Sequence, residues 1–504
     1  MKKAAIIICW ICVISAGAFL RFDDLGKRPF HADEATGARI TAKRMEPGGA
    51  TFDPKHFHGP LLADLAEPIC KLRGENHWPE MTKTTLRILP AIAGTLLVCL
   101  PLLWRRRFGD PAMLLSAALL ATSPLLVYYS RMFIHEILLA LLGLLAVMVL
   151  TRNPRWGAAG FLTGLMFATK ESFAISIIAW TAAGFWIALE NRQSLNKETL
   201  TLAWSKYRMP VAVSLLTAAV TAILLYTDFL RHPQGAIDAV RTFFIYETVG
   251  GHEKSASYYV QLLAFPKKSG GIWWFETPVL LLALAAYAST FNRKEDAIRS
   301  RVVIRFLAYS AAAHFLIYSI ISYKTPWLAC LPWAHVCLLA GFAITGWWHT
   351  GTTARVILTI IAMACATTQF KQSRMATGRY ASDVRNPYAY VPTQRDVETL
   401  EPWLRKLGDI TPGGTVEPIS VVGTDYWPLP WYLRTFEQTG YWPELPDKLA
   451  FMPLVFSSTN TSEKVMHELE KTHTLLPRGL RAEVPLLMFV RNDIWNRWME
   501  AGEK

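Results

Sequence analysis

The sequence is poor in charge and in cysteine, and it lacks the compact motifs of a soluble metal or nucleotide enzyme. Only 18% of its 504 residues are charged, and seven are cysteine. Cys9, Cys12, Cys99, Cys330, Cys337 and Cys365 lie within apolar runs, and Cys70 stands alone in an expected loop. That distribution gives neither a disulfide framework nor a zinc ribbon. There is no HExxH pair, no internal repeat and no low-complexity stretch. No basic helix with interleaved aromatics points to nucleic acid. Without a repeat or charges at midplane, a transporter is also disfavoured.

Long apolar runs are what the chain does have. Hydrophobic residues make up 52% of it, with a formal net charge of +13. Runs of roughly 17–25 apolar residues can cross a bilayer as helices. Eleven spans are expected, near 4–20, 84–103, 112–130, 134–150, 156–169, 172–190, 209–228, 272–290, 303–321, 327–347 and 354–369. The fifth is short for a hydrocarbon core of about 30 Å and needs tilt or local thinning. The N-terminal stretch resembles a secretory signal, but the spans after it favour an uncleaved first helix.

With Lys2 and Lys3 inside, the even-numbered spans end in "WRRRFGD", "TRNPRW", "ENRQSLNKETLTLAWSKYR", "FNRKEDAIRSR" and "WWHTGTTAR". All are basic, as cytoplasmic loops are. The outer side then receives loop 21–83, the turns "YYSRMFIHE", "TKES" and "SYKTPW", loop 229–271 and the tail. The expected fold is a polytopic α-helical membrane domain, 1–370, with a C-terminal extracytoplasmic α/β domain, 371–504. The tail alternates helix-like "RDVETLEPWLRKLGD", "PLPWYLRTFEQ" and "SEKVMHELEKT" with strand-like "PISVVGT", "LAFMPLVFSS" and "VPLLMFVRND". It has no glycine-rich phosphate loop.

The ionisable residues at span ends gather on the outer side: Asp33, Glu34, Arg131, His135, Glu136, Lys170, Glu171 and Lys324. Charges near membrane depth are functional candidates unless they cap helices or snorkel to headgroups. Asp33 suits a general base, and "HADEATG" equally reads as a helix start. Arg131, Lys170 and Lys324 suit a phosphate clamp. His31, Asp33, His135, Glu136 and Glu171 have ligand types that suit a divalent cation, with His31, His135 and Glu171 the expected set. The aromatic outer loops "HFHGPLL", "YETVGGHEKSASYYV", "RNPYAYV" and "DYWPLPWYLR" fit either an interfacial belt or sugar stacking.

The ordered set "HADEA", "YYSRMFIHE", "TKES" and "YKTPWL" resembles the GT-C membrane glycosyltransferases. The branch most similar is that of dolichyl-phosphate-mannose protein mannosyltransferases and the lipid A aminoarabinose transferase. "HFHGPLL", "GHEKSASYY" and "DYWPLPWYLR" resemble a bacterial and archaeal subfamily labelled flippase-associated. The resemblance implies transfer of a sugar from a polyprenyl-phosphate carrier to a hydroxyl of a lipid, glycan or protein, at the outer face of the cytoplasmic membrane. It implies Asp33 as base with Glu34 beside it, Glu136 as a second acid, and Arg131, Lys170 and Lys324 on the carrier phosphate. His58 and Tyr323, from the same motifs, join the substrate-binding candidates. A single displacement would invert the anomeric carbon. A lipid-linked sugar flippase and a non-catalytic assembly subunit are the rival readings.

Overall fold

The computed structural model describes residues 2–49, 51–152, 154–190, 197–245, 250–291, 298–345 and 351–502. Parts of the basic loops (153, 191–196, 292–297 and 346–350) and of the loop "YETVGGHEK" (246–249) lie outside the described residues.

Helices occur at all eleven expected positions. They are α1 (Lys2–Phe22), α4 (Lys83–Cys99), α6 with α7 (Asp110–Thr122, Pro124–Tyr129), α8 (Glu136–Arg152), α9 (Trp156–Thr169), α10 (Phe173–Glu190), α11 (Lys197–Tyr226), α14 (Thr277–Ala288), α15 (Ile298–Ile320), α16 (Cys330–Ala340) and α17 (Thr352–Thr377). Among the described residues, seven helices are long and apolar enough to cross a membrane, and four apolar helices are shorter. Between these lie α2 (Ala32–Met45), α3 (Leu61–Leu72), α5 (Arg105–Phe108), α12 (Gly235–Ile245) and α13 (Tyr258–Leu263). Cys70 therefore lies in α3, buried, and not in a loop.

Local chemistry sets the breaks. Pro124 follows Ser123 and divides α6 from α7, because a proline disfavours helical geometry in the residue before it. The short α9 lies directly against α11. A Cβ at Gly160 would fall 2.0 Å from the Ser214 carbonyl oxygen, and one at Gly164 2.6 Å from that of Ala218. Small residues four apart are what permit such close helix approach in lipid.

A two-stranded antiparallel hairpin pairs β1 (Lys267–Ser269) with β2 (Ile272–Trp274). A five-stranded sheet has the order β4-β3-β5-β7-β6, formed by β3 (Ile419–Val422), β4 (Thr439–Trp442), β5 (Leu454–Ser457), β6 (His473–Arg481) and β7 (Val484–Arg491). β3 runs parallel to β4 and β5, while β7 is antiparallel to β5 and β6. The sheet is accompanied by α18 (Leu400–Asp409), α19 (Leu429–Tyr432), α20 (Ser462–Leu469) and α21 (Asn492–Gly502). β4 and β6 were not expected from sequence. Both are edge strands with largely unburied faces, so neither shows a continuous apolar run. "PLPWYLRTFEQ" yields only the four-residue α19, whose Trp431 and Tyr432 reach across to the first loop. The Phe30 ring packs tilted against Trp431 at 4.1 Å, and the Phe30 N–H donates to the Tyr432 hydroxyl at 2.8 Å. One core joins α2 and α3 to the C-terminal sheet.

Candidate active site

Adjacent carboxylates in "HADEA" have opposite fates. His31 caps α2: its Nδ1 accepts the Asp33 N–H at 3.1 Å. The other ring nitrogen, Nε2, then carries the proton and donates to the Tyr390 carbonyl at 3.1 Å. Asp33 is left with its side chain 54% exposed. Glu34, the N3 residue of the capping box, turns inward and has no exposure. Arg87 donates to both of its oxygens at 2.7 Å, and the N–H groups of His31 and Phe133 add bonds at 3.0 and 2.9 Å. Burial would push the Glu34 carboxyl up; the Arg87 and Arg28 guanidiniums outweigh it and hold it at about 2. The expectation of a catalytic Glu34 beside Asp33 is corrected accordingly, since both of its oxygens are spent on the interior.

The groups that surround Asp33 come from far along the chain. His252 and Tyr390 lie close enough to feel its charge. The Tyr390 hydroxyl and His252 Nδ1 are hydrogen-bonded. Burial raises the Tyr390 phenol to about 12, helped by Asp33 and Glu253. Lys254 is exposed, and its ammonium lies 5.8 Å over the Tyr390 ring. Beside these residues runs a narrow cleft lined by Arg28, His31, Tyr129, Trp327, Ser382 and Tyr390.

Lys324 shapes this site from behind. It is 1% exposed, and its Nζ donates to the carbonyls of Lys254, at 3.1 Å, and Ile321. Its N–H donates to the His252 carbonyl at 3.0 Å, and Glu253 pairs with Tyr323 as a β-bridge. The segment 252–254 is thereby tied down next to Asp33. Tyr323 packs its ring 5.1 Å from that of His252 and lies close enough to Lys170 to bear on its charge.

Arg131 donates to the carbonyls of Leu20 (3.0 Å), Arg21 (3.4 Å) and Asp24 (3.1 Å), stapling the end of α1. Burial, with Arg28 and Arg87 nearby, lowers it to about 10. Lys170 and Glu136 form a buried pair at 2.7 Å. Burial opposes the Lys170 charge, but Glu136 and Glu171 together raise its pKa above the usual lysine range. Glu171 contacts His58 at 3.0 Å and is held at about 2, burial being outweighed by His58 and Lys170. The His58 and His135 rings meet edge to face at 5.1 Å.

The three expected phosphate cations are thus engaged with protein oxygens. His31 also stands apart from His135 and Glu171, so that metal set is not assembled. Among the described residues no group of three His, Cys, Asp or Glu side chains is placed to hold an ion. Sequence reading overlooked His252, Lys254 and Tyr390. "NPYAYV" reads from sequence as an aromatic loop and "GHEKSASYY" as an aromatic loop with a family resemblance, with nothing local to mark either as a neighbour of Asp33.

A family model described as dolichyl-phosphate-mannose-protein mannosyltransferase matches residues 58–214. No curated protein matches the sequence. Among solved structures, apo ArnT from Cupriavidus metallidurans aligns with a TM-score of 0.63 at 15% identity, over 97% of this chain and 98% of that one. The fold is shared with ArnT. ArnT from the same organism bound to undecaprenyl phosphate aligns at 0.62 and 14% identity, over 95% and 97% of the two chains. The archaeal oligosaccharyltransferase AglB from Archaeoglobus fulgidus, in complex with an inhibitory peptide and a dolichol-phosphate, aligns at 0.56 and 13%, over 95% of this chain and 74% of that one.

Proposed function

We propose that this protein is a membrane glycosyltransferase that moves a sugar from a polyprenyl-phosphate carrier to an acceptor hydroxyl, with Asp33 as general base. The observation that carries the reading is the exposed Asp33 carboxylate at the capped start of α2, within electrostatic reach of His252 and Tyr390, with the exposed Lys254 ammonium over the Tyr390 ring. Related folds bind the same class of carrier: ArnT is described with undecaprenyl phosphate and AglB with a dolichol-phosphate. Arg105, Arg106 and Arg107 of α5 follow the end of α4 that is remote from Arg87, the residue that clamps Glu34 beside this site. By the positive-inside rule the site and the C-terminal domain face the extracytoplasmic side.

In the reaction Asp33 takes the proton of the acceptor hydroxyl as its oxygen attacks the anomeric carbon. The bond to the carrier phosphate breaks on the opposite face, so configuration inverts. Polyprenyl phosphate leaves as a stable anion and needs no proton. Lys254 is placed to offset its charge, in the part first assigned to Arg131, Lys170 and Lys324. The donors around Asp33 do not fit a resident divalent cation. His31 spends both ring nitrogens on the backbone and Glu34 is clamped by Arg87.

The test is sugar transfer from undecaprenyl-phosphate hexose or pentose donors in liposomes. Asp33→Asn keeps shape and removes basicity, so transfer should fall about 10²–10⁴-fold with the unfolding midpoint unchanged. Transfer at the normal rate would refute Asp33 as the base.

A further inference from the structure

A second polar cluster lies inside the bundle, where α10, α15 and α16 meet. His314 of α15 and His335 of α16 have no exposure, and their rings stand 5.8 Å apart. Trp180 of α10 is 6.4 Å from His335. Ser176 is four residues before Trp180, and Ser310 four before His314, so each pair shares a helix face. Both serines are fully buried.

The ring nitrogens are chemically assigned by their neighbours. His314 Nδ1 lies 2.7 Å from the Ser310 carbonyl, and His335 Nδ1 lies 2.9 Å from that of Leu331. A carbonyl only accepts, so each Nδ1 is the protonated nitrogen and each Nε2 presents a lone pair. Neither Nε2 has a partner among the described residues, nor do the Trp180 indole N–H, the Ser176 hydroxyl or the Ser310 hydroxyl. Two acceptors, one donor and two groups able to do either are therefore gathered, all buried. Unpaired polar groups at such depth are costly, and native interiors satisfy them.

We infer that the α10–α15–α16 junction is an internal hydration site. Bound water donates to the Nε2 atoms of His314 and His335 and accepts from the Trp180 indole. A metal ion would sit badly there: among the described residues no third His, Cys, Asp or Glu joins the two imidazoles to hold one. An apolar occupant would leave every polar atom unpaired. Water satisfying two or more such groups is a normal structural component.

The test uses the full chain with ¹⁵N-histidine in proteoliposomes and solid-state NMR, with water protons as the probe. Polarisation should pass from water to two imidazoles whose signals vanish in His314→Gln and His335→Gln. Absence of transfer to either ring overturns the inference, as does loss of the transfer on chelator treatment, which would mark an ion. Thermal unfolding gives an independent sign. If water bridges the rings to Trp180, His335→Leu takes away one of the acceptors that hold it and lowers the midpoint. A higher midpoint would mean that a dry, unpaired nitrogen had been removed, and the site would be dry.

Discussion

Arg87 and Glu34 form a two-pronged ion pair with no exposure on either side chain, Nε and Nη2 each 2.7 Å from a carboxylate oxygen. Arg87 also donates to the carbonyls of Leu25, Arg28 and Pro29, so one side chain of α4 holds the whole approach to α2. The position of Asp33 depends on this clamp through its neighbour in sequence.

Glu34→Gln should accordingly be a stability mutation. It leaves Arg87 buried without a counter-charge, a change worth about 3–5 kcal/mol when a buried pair loses one member. Unfolding in detergent should show that loss, and any fall in transfer should follow the folded fraction.

The same pair sets an acid limit. The Glu34 carboxyl is held at about 2 against an ordinary 4.5. A depressed acid contributes stability that is complete above about pH 4.5 and is lost as pH falls toward 2. Denaturant midpoints of wild type should decline through that window. Glu34→Gln should show a flatter profile there.

Lys170 and Glu136 should behave as one unit. Lys170→Met alone strands a buried carboxylate and should cost several kcal/mol. The double variant Lys170→Met with Glu136→Gln should recover much of it. A double-mutant cycle on thermal midpoints measures the coupling. Additive losses would show that the two charges do not depend on each other.

Lys254→Ala and Lys324→Met separate the two lysines near the site. A hydrogen bond to a charged group is worth about 1.5–3 kcal/mol, so Lys254→Ala should weaken undecaprenyl-phosphate binding roughly 10–100-fold without moving the unfolding midpoint. Lys324→Met releases segment 252–254 and should lower both. Isothermal titration beside thermal unfolding distinguishes them.

Orientation is checked with reporters. A reporter active only outside the cytoplasm should work after Lys504 and stay silent near Arg106. The reverse pattern would place Asp33 on the cytoplasmic side.

The helix positions were legible from sequence because each apolar run carries its own signal: in lipid a backbone must satisfy itself within the helix. A helix start at "HADEATG" was legible from its acidic first turn, but not that His31 would be its cap. The first exception is the pair of edge strands β4 and β6, whose faces are too polar to register as apolar runs. The second is the partnership of charges. In sequence Asp33 and Glu34 are equivalent neighbours, and Arg131, Lys170 and Lys324 are three like cations. Only the folded chain brings Arg87 onto Glu34, backbone carbonyls onto Arg131 and Lys324, and Glu136 onto Lys170. Those contacts span tens to more than a hundred residues, and no local pattern encodes them. The tertiary structure alone decided which charges are spent on holding the fold and left Asp33 and Lys254 facing solvent.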